Sequence, residues 1–418
     1  MGNPKHSRAL SRFAVFAVLC TLALISIGGL VTSKGVGMAV YDWPTTFQYN
    51  MFMLPLDRWF GIEGVFEEHS HRLIAMGVGM VTGILTAWLW IRETTGTTRR
   101  IALGAIIITM ALMGARSQTM LMMMAGLATV LAAISIYQIV KDRNALRWWG
   151  TLASSMVIVQ AVLGGLRVVK NNDQIGIFHG VLAQLFLLVL LAIALFNSRW
   201  WKQAKTAVTD ANLVPRVVRS HFLFATLLIF LQLILGATMR HQHTGLAIWD
   251  FPKAHNQWWP ATDSGSLKKY NAQRDALQDK LYPNQKESGT MLKTVKSNYR
   301  PILASEIHLQ MYHRIVAVLI LGLVLGTAIL AHRKLGGGHC LSRMALWWLG
   351  LILVQATLGA LTVLKYKPAD IATLHVLFGA LSLGLGAMGT LISRTKELPS
   401  LINQTDPAES ELPRAEAT

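Results

Sequence analysis

The chain alternates between long apolar runs and short polar connectors. The apolar runs cover about residues 13–32, 72–91, 101–116, 119–140, 149–168, 175–196, 219–240, 307–331, 344–364 and 371–393. Most are close to the roughly 20 residues that a helix needs to cross a bilayer. Lipid cannot satisfy free backbone groups, so the pattern predicts membrane-spanning helices. The amino terminus and the connectors at 92–100, 141–148, 197–218 and 332–343 are rich in Lys and Arg, which marks cytoplasmic loops. Residues 33–66, 169–174, 241–306 and 365–370 then face outward. The 241–306 loop is basic too, but long loops cross largely regardless of charge. Both flanks of 101–140 read as cytoplasmic, so an even number of crossings lies between them: a two-helix hairpin turning near Ala115 to Gln118. The expected architecture is all-α and integral to the membrane, with about 10 transmembrane helices.

The runs are not independent. "VGMAVYDWP" at 36–44 is echoed without a gap by "TGLAIWDFP" at 244–252, each after an apolar run ending in small residues. "HRLIAM" at 71–76 answers "HRIVAV" at 313–318, and "QAVLGGLRV" at 160–168 answers "QATLGALTV" at 355–363. The repeat predicts two four-helix bundles, related by an axis along the membrane normal because each unit has an even number of spans. The 101–140 hairpin is an insertion into the first. The expected division is 1–198 for the first bundle, 199–218 for a cytoplasmic linker, 219–394 for the second bundle and 395–418 for a cytoplasmic polar tail. A basic segment before an apolar run also fits a signal peptide, but the second mouth phrase follows a long helix as well, so the first run is expected to stay in the membrane.

Composition agrees. Of 418 residues, 53% are hydrophobic and 14% charged, well below the soluble norm. The net charge of +18 sits in connectors, where it sets topology, and does not point to nucleic acid. Cys20 and Cys340 offer neither a disulfide framework nor a metal spacing.

Histidine carries the sharpest chemistry. Among 13 histidines, four recur at matched positions: His71 with His179, and His313 with His375. A single intramembrane histidine is usually satisfied by a hydrogen bond between helices; matched pairs suit axial ligation of a haem iron between two helices of one bundle. His69 lies about 200° around the helix from His71, and His308 about 140° from His313, so neither shares the ligand face. His241 and His243 follow the mouth helix and belong to a rim. Glu68 stands one turn before His71, where the second bundle has Gln310. An acid on that face could move protons beside a reacting group; its plain alternative is a solvated carboxylate at a helix N-terminus, a role that Glu67 fits better. Arg72 and Arg314 could pair with haem propionates or simply snorkel to the interface. Gln160 and Gln355 read as packing residues that bond across helices. The run "MLMMMAG" reads as lipid-facing or packing material.

At these residues the chain resembles the haem A synthase family, over nearly its whole length except the 101–140 insertion and the tail after about 395. The likeness rests on "GLVTSKGVGMAVYDWP", "EEHSHRL", "QAVLGGLRV", "ATMRHQHTGLAIWDFP" and "HLQMYHR", with His179 and His375. The resemblance implies two hydroxylations of the C8 methyl of haem O, the gem-diol then losing water to give the formyl group of haem A. It implies that Glu68, His71 and His179 bind substrate haem, with Arg72 beside them. It further implies that His313 and His375, with Arg314, hold a haem b cofactor. Implied surroundings are the lipid bilayer of the cell inner (plasma) membrane with both termini cytoplasmic, haem O synthase, an electron donor and allowance for a homo-oligomer. Two departures stand out: residues 33–66 lack the cysteine pair of some members, and the extra hairpin exceeds the usual eight-helix plan. Iron with two histidines also has no open position for oxygen. Two rival readings remain, a bis-His b-type cytochrome for electron transfer and a transporter with duplicated bundles.

Overall fold

The computed structural model describes residues 7–114, 117–206, 214–281 and 301–394. Its long helices are α1 (Arg8–Ser33), α3 (Val65–Glu93), α4 (Gly96–Leu112), α5 (Gln118–Lys141), α6 (Leu146–Val169) and α7 (Asp173–Asn197), then α9 (Arg216–His241), α11 (Ala304–Leu335), α12 (Cys340–Leu364) and α13 (Ala369–Ser393). The shorter α2 (Leu56–Gly61), α8 (Arg199–Thr206) and α10 (Ser264–Leu281) lie in connectors. Side-chain caps start several of them. Ser7, Ser117 and Asn172 accept from the first-turn amides of α1, α5 and α7, groups that would otherwise lack partners. Among the described residues there is no strand beyond two isolated bridges.

The protein is an all-helical integral membrane protein. Nine of the described helices are long and apolar enough to cross a membrane, against about ten expected. The difference is α4: its 17 residues reach about 26 Å at 1.5 Å per residue, and it carries Arg99 and Arg100 in its first turns. The turn expected near Ala115 to Gln118 falls partly on 115–116, and the polar tail at 395–418 also lies outside the described residues.

Helix α1 packs on α3, α3 on α6, α6 on α7, and α7 back on α1, closing a ring. The second ring repeats the order with α9, α11, α12 and α13. The rings meet through α1 with α13, α7 with α9, and α7 with α13, the pairing that a two-fold exchange of the bundles leaves unchanged. Glycines permit the closest approaches, as is usual between membrane helices. Trp348 and Phe222 stack with ring centroids 5.6 Å apart and fill the space over Gly386 and Gly389. The inserted pair is not a compact hairpin. Helix α4 lies on α3 and α5 lies on α6, with little contact between the two.

Candidate functional site

Each mouth phrase folds into a loop tied down by its aspartate. Asp42 accepts from the amides of Phe47 at 2.7 Å and Gln48 at 2.8 Å; Asp250 accepts from His255 and Asn256 at the same two distances. All four donors have positive φ, so the carboxylate holds a turn that L-residues seldom adopt. Burial pushes the Asp42 carboxyl up, but hydrogen bonds from Thr45, Gln48 and Phe47 outweigh it and hold the group below its ordinary value.

Arg72 and Arg314 clamp these loops from below. Arg72 donates to the carbonyls of Asp42 at 2.8 Å, Thr45 at 3.1 Å and Val40 at 3.1 Å. Arg314 donates to the matched carbonyls of Asp250 at 2.8 Å and Lys253 at 2.9 Å. Loop carbonyls therefore occupy both guanidinium groups, a partner that neither the propionate nor the snorkelling reading named.

Glu68 is buried. It accepts from Val40 N at 2.9 Å and pairs with Arg72 at 2.7 Å, so it is not the solvated helix-end acid of the plain alternative. Lys34 takes Glu67 at 2.7 Å. Gln310 repeats half of this arrangement: its Oε1 accepts from Ile248 N, the counterpart of Val40 N, at 2.9 Å. Its amide donates to Ile248 O at 2.9 Å. The two residues thus fasten equivalent loops, one with a charge and one without.

The four matched histidines each lie over a glycine of a neighbouring helix. A Cβ on Gly28 would stand 2.9 Å from His71, on Gly164 3.1 Å from His179, on Gly236 3.4 Å from His313, and on Gly359 3.1 Å from His375. Each glycine is therefore the cradle of one imidazole. His179 Nδ1 donates to Gln160 O at 3.1 Å, and Gln160 Nε2 donates to His179 O at 2.8 Å, which locks α6 to α7 at the site. That bond leaves the His179 Nε2 lone pair free for a metal. Gln232 Nε2 holds His313 O at 2.9 Å in the same manner across α9 and α11. The Nδ1 atoms of His71 and His313 are buried without a partner, while the His375 imidazole faces the Gln355 backbone as His179 faces that of Gln160.

All four imidazoles, with Glu68, Arg72, Gln310 and Arg314, border a continuous, mainly apolar cavity of about 1690 Å³. His69 does not. It is fully buried beside Thr46 at 3.2 Å and edge-on to Trp59, a loop fastener. His308 stacks near Trp259 and Tyr312. His241 is the last residue of α9, not part of the following loop, and is buried against Gly176 beside Arg167.

A cluster at the seam between the bundles was missed from sequence. Arg240 of α9 reaches across to Gly29 O and Ser33 Oγ of α1. Arg167 pairs with Asp173 at 3.3 Å, and His243 lies 3.6 Å from the same carboxylate. Burial and the Arg240 charge hold the Lys367 ammonium below the usual lysine range. A lone cation near the end of an apolar run gives no hint that it will cross to another bundle.

The donor set discriminates between metals. Among the described residues no group of three His, Cys, Asp or Glu could hold a bare ion, and two imidazoles cannot close a zinc shell. Two imidazoles do suffice for a macrocycle that brings its own in-plane nitrogens. The Nε2 lone pair that the Gln160 bond leaves free on His179, the glycine cradles and the apolar walls all fit a haem.

The family model of the COX15-CtaA cytochrome oxidase assembly proteins matches residues 116–386. The chain belongs to that family. The COX15-CtaA match covers α5 to α12 and most of α13, and with them His179, His313 and His375; Glu68 and His71 lie before it. A heme A synthase of Shouchella clausii is 24% identical over 258 residues, 60% of this chain and 66% of that protein. A heme A synthase of Beijerinckia indica subsp. indica is 37% identical over 99 residues, 24% of this chain and 26% of that protein. The chain thus spans just under two thirds of the first relative's length and about a quarter of the second's.

Proposed function

We propose that the protein is a haem A synthase. It would convert haem O to haem A by two hydroxylations of the C8 methyl and loss of water from the gem-diol. The first bundle, with His71 and His179, receives the substrate; the second, with His313 and His375, holds haem b. When bound, that haem supplies one-electron transfer. The bundles lie in the inner (plasma) membrane with the mouth loops outward and both termini cytoplasmic, which the Lys- and Arg-rich connectors support.

One observation carries this reading. Two histidine pairs border matched halves of one cavity, but among the described residues only the first has an acid beside it, Glu68 where the second has Gln310. Loss of water from a gem-diol needs a proton delivered to the departing hydroxyl and another removed from the hydroxyl that becomes the carbonyl. The Glu68 carboxylate is placed to exchange both. Arg72 and the Val40 amide hold its two oxygens in position and fasten the mouth loop to the site. Haem O synthase as the source of substrate and a separate electron donor complete the proposed setting.

In Glu68→Gln, haem content should persist while product formation falls by about 10²–10⁴. The measurement is extraction of haem O, the hydroxylated intermediate and haem A from cells making haem O together with the variant. Unchanged haem A under enzyme-limiting conditions would overturn the role. A second reading, a bis-His b-type cytochrome, draws support from the bonds that already occupy both Glu68 oxygens. For that protein no haem A forms with either form of residue 68.

A further inference from the structure

The two halves of the cavity differ in depth, and the difference lies along the inserted helices. On α3 the lining runs from Glu68 to Trp90, about 33 Å of helix, whereas on α11 it runs only from Gln310 to Leu321, about 17 Å. Helices α6 and α12 show the same contrast, from Trp148 to Val168 against Ile352 to Val363. The residues that open the first half are small. Gly79 and Gly83 stand where the second bundle has Leu321 and Leu325, and Thr151 and Ser154 where it has Leu346 and Leu349.

In the second bundle the groove between α11 and α12 meets lipid; Leu325 is 44% exposed and Leu346 52%. In the first, α4 and α5 stand over the corresponding groove without closing on one another. Ala105 and Met110 of α4 and Leu121 and Ala128 of α5 form its far wall. The flexible Met110 side chain lies over Gly83, its Sδ 2.7 Å from where a Cβ would stand, so a side chain there displaces it into the slot. The polar groups at the deep end are mutually satisfied. Thr86 bonds Ser154 at 2.8 Å and Gly150 O at 2.9 Å, and Trp90 Nε1 donates to Thr151 at 3.0 Å. What remains is an apolar slot, continuous with the space beside His71 and His179 and without a counterpart among the described residues of the second bundle. It is open on its outer side between α4 and α5, where Ile108 is 60% and Leu127 63% exposed.

We propose that this slot, walled by α3, α6 and the inserted α4 and α5, takes the isoprenoid tail of the substrate porphyrin. The inference rests on the reading of the first bundle as the substrate site. Haem O and haem b share a macrocycle but differ in a long branched hydrocarbon chain, which only haem O carries. The two bundles share a histidine cradle but differ in a long apolar extension, which only the first carries. The chain thus sorts its two haems by their tails, since their irons and ligands are alike. Burying the tail against hydrocarbon side chains stabilises the complex in proportion to the apolar area covered.

Ala105→Phe on α4 and Gly83→Leu on α3 fill the slot from two separate helices without touching a histidine or its glycine. The full chain and both variants are purified from cells that make haem b and haem O, and each haem is extracted and counted per chain. In both variants the tailed haems, counted as haem O, its hydroxylated intermediate and haem A together, should fall about tenfold or more while haem b stays at the wild-type level, which also reports a folded second bundle. Binding of tail-less protohaem at His71 and His179, followed by its optical spectrum, should be unchanged. Variants that retain the tailed haems as well as the wild type does would overturn the slot alone. So would equal loss of both haems from both variants, the outcome for a groove that merely packs or takes a membrane lipid. A wild-type chain holding haem b but never haem O, its hydroxylated intermediate or haem A would overturn the substrate reading and the slot together.

Discussion

Set side by side, the two bundles share the contacts that seat their matched histidines and fasten their mouth loops, and they differ in what surrounds them. Asp42 and Asp250 tie the same turn, Arg72 and Arg314 clamp the same carbonyls, and four glycines seat four imidazoles. Against that background three differences stand out: Glu68 for Gln310, the pair of inserted helices, and Trp43 for Phe251. Trp43 occupies the space where a side chain on Gly165 would stand, and the second bundle accordingly combines Phe251 with Ala360. Duplication preserved the cradle and freed the walls to diverge. A binding frame and a reaction environment are therefore separable parts of this protein.

The comparison breaks most sharply at the ligands. His313→Ala and His375→Ala should each remove haem b from the purified protein and leave the first site able to bind haem; His71→Ala and His179→Ala should do the reverse. Optical spectra and haem counts per chain decide it, and loss of both haems from every variant would deny that the sites are independent. A smaller effect should separate the two clamps. Arg72→Ala leaves Glu68 buried without its charge partner, a loss of about 3–5 kcal/mol. Arg314→Ala leaves only carbonyls unpaired, about 1–3 kcal/mol. Thermal unfolding in detergent should rank Arg72→Ala as the more damaging; equal losses would mean that the Glu68 charge contributes nothing to the clamp.

Changes of a single methyl group sharpen the likeness. Gly164→Ala and Gly359→Ala should each displace an imidazole by a few tenths of an ångström and shift the spectrum of the haem in that bundle alone. Gly77→Ala, in open space, should shift neither. The smallest effect concerns pH. The Asp42 carboxyl is held below its ordinary 3.8 in the folded chain, so its contribution to stability is present above that value. As pH falls through the lowered folded value that contribution disappears. The stability difference between the wild type and Asp42→Asn should accordingly be constant at neutral pH and vanish in strong acid. A difference unchanged down to the lowest pH would show that the carboxylate charge is irrelevant to the loop.

Much of this was legible in the chain because membranes impose simple rules. Run lengths and basic connectors disclosed the helices, and the duplication disclosed which of 13 histidines to pair. The small residues after each apolar run were visible too, although their use as imidazole seats depends on helices far away in sequence. Glu68 and Arg72 were found but not their partners, since those are backbone groups of a loop about 30 residues upstream whose fold depends on the positive φ angles of Phe47 and Gln48. The wide separation of α4 and α5 was hidden for a similar reason. Periodicity shows that two helices exist, not which neighbours they choose.

Arg240 makes the two bundles depend on one another. Its guanidinium leaves α9 and bonds Gly29 and Ser33 in α1, while the corresponding place in the first copy holds Thr32. A second half-chain made alone would keep only the Ala372 carbonyl of its own bundle as an acceptor for that cation, and the first half would lose the donor that reaches Gly29 and Ser33. The cation at the seam thus makes each bundle part of the other's solvent, and the two are built to stand as one piece.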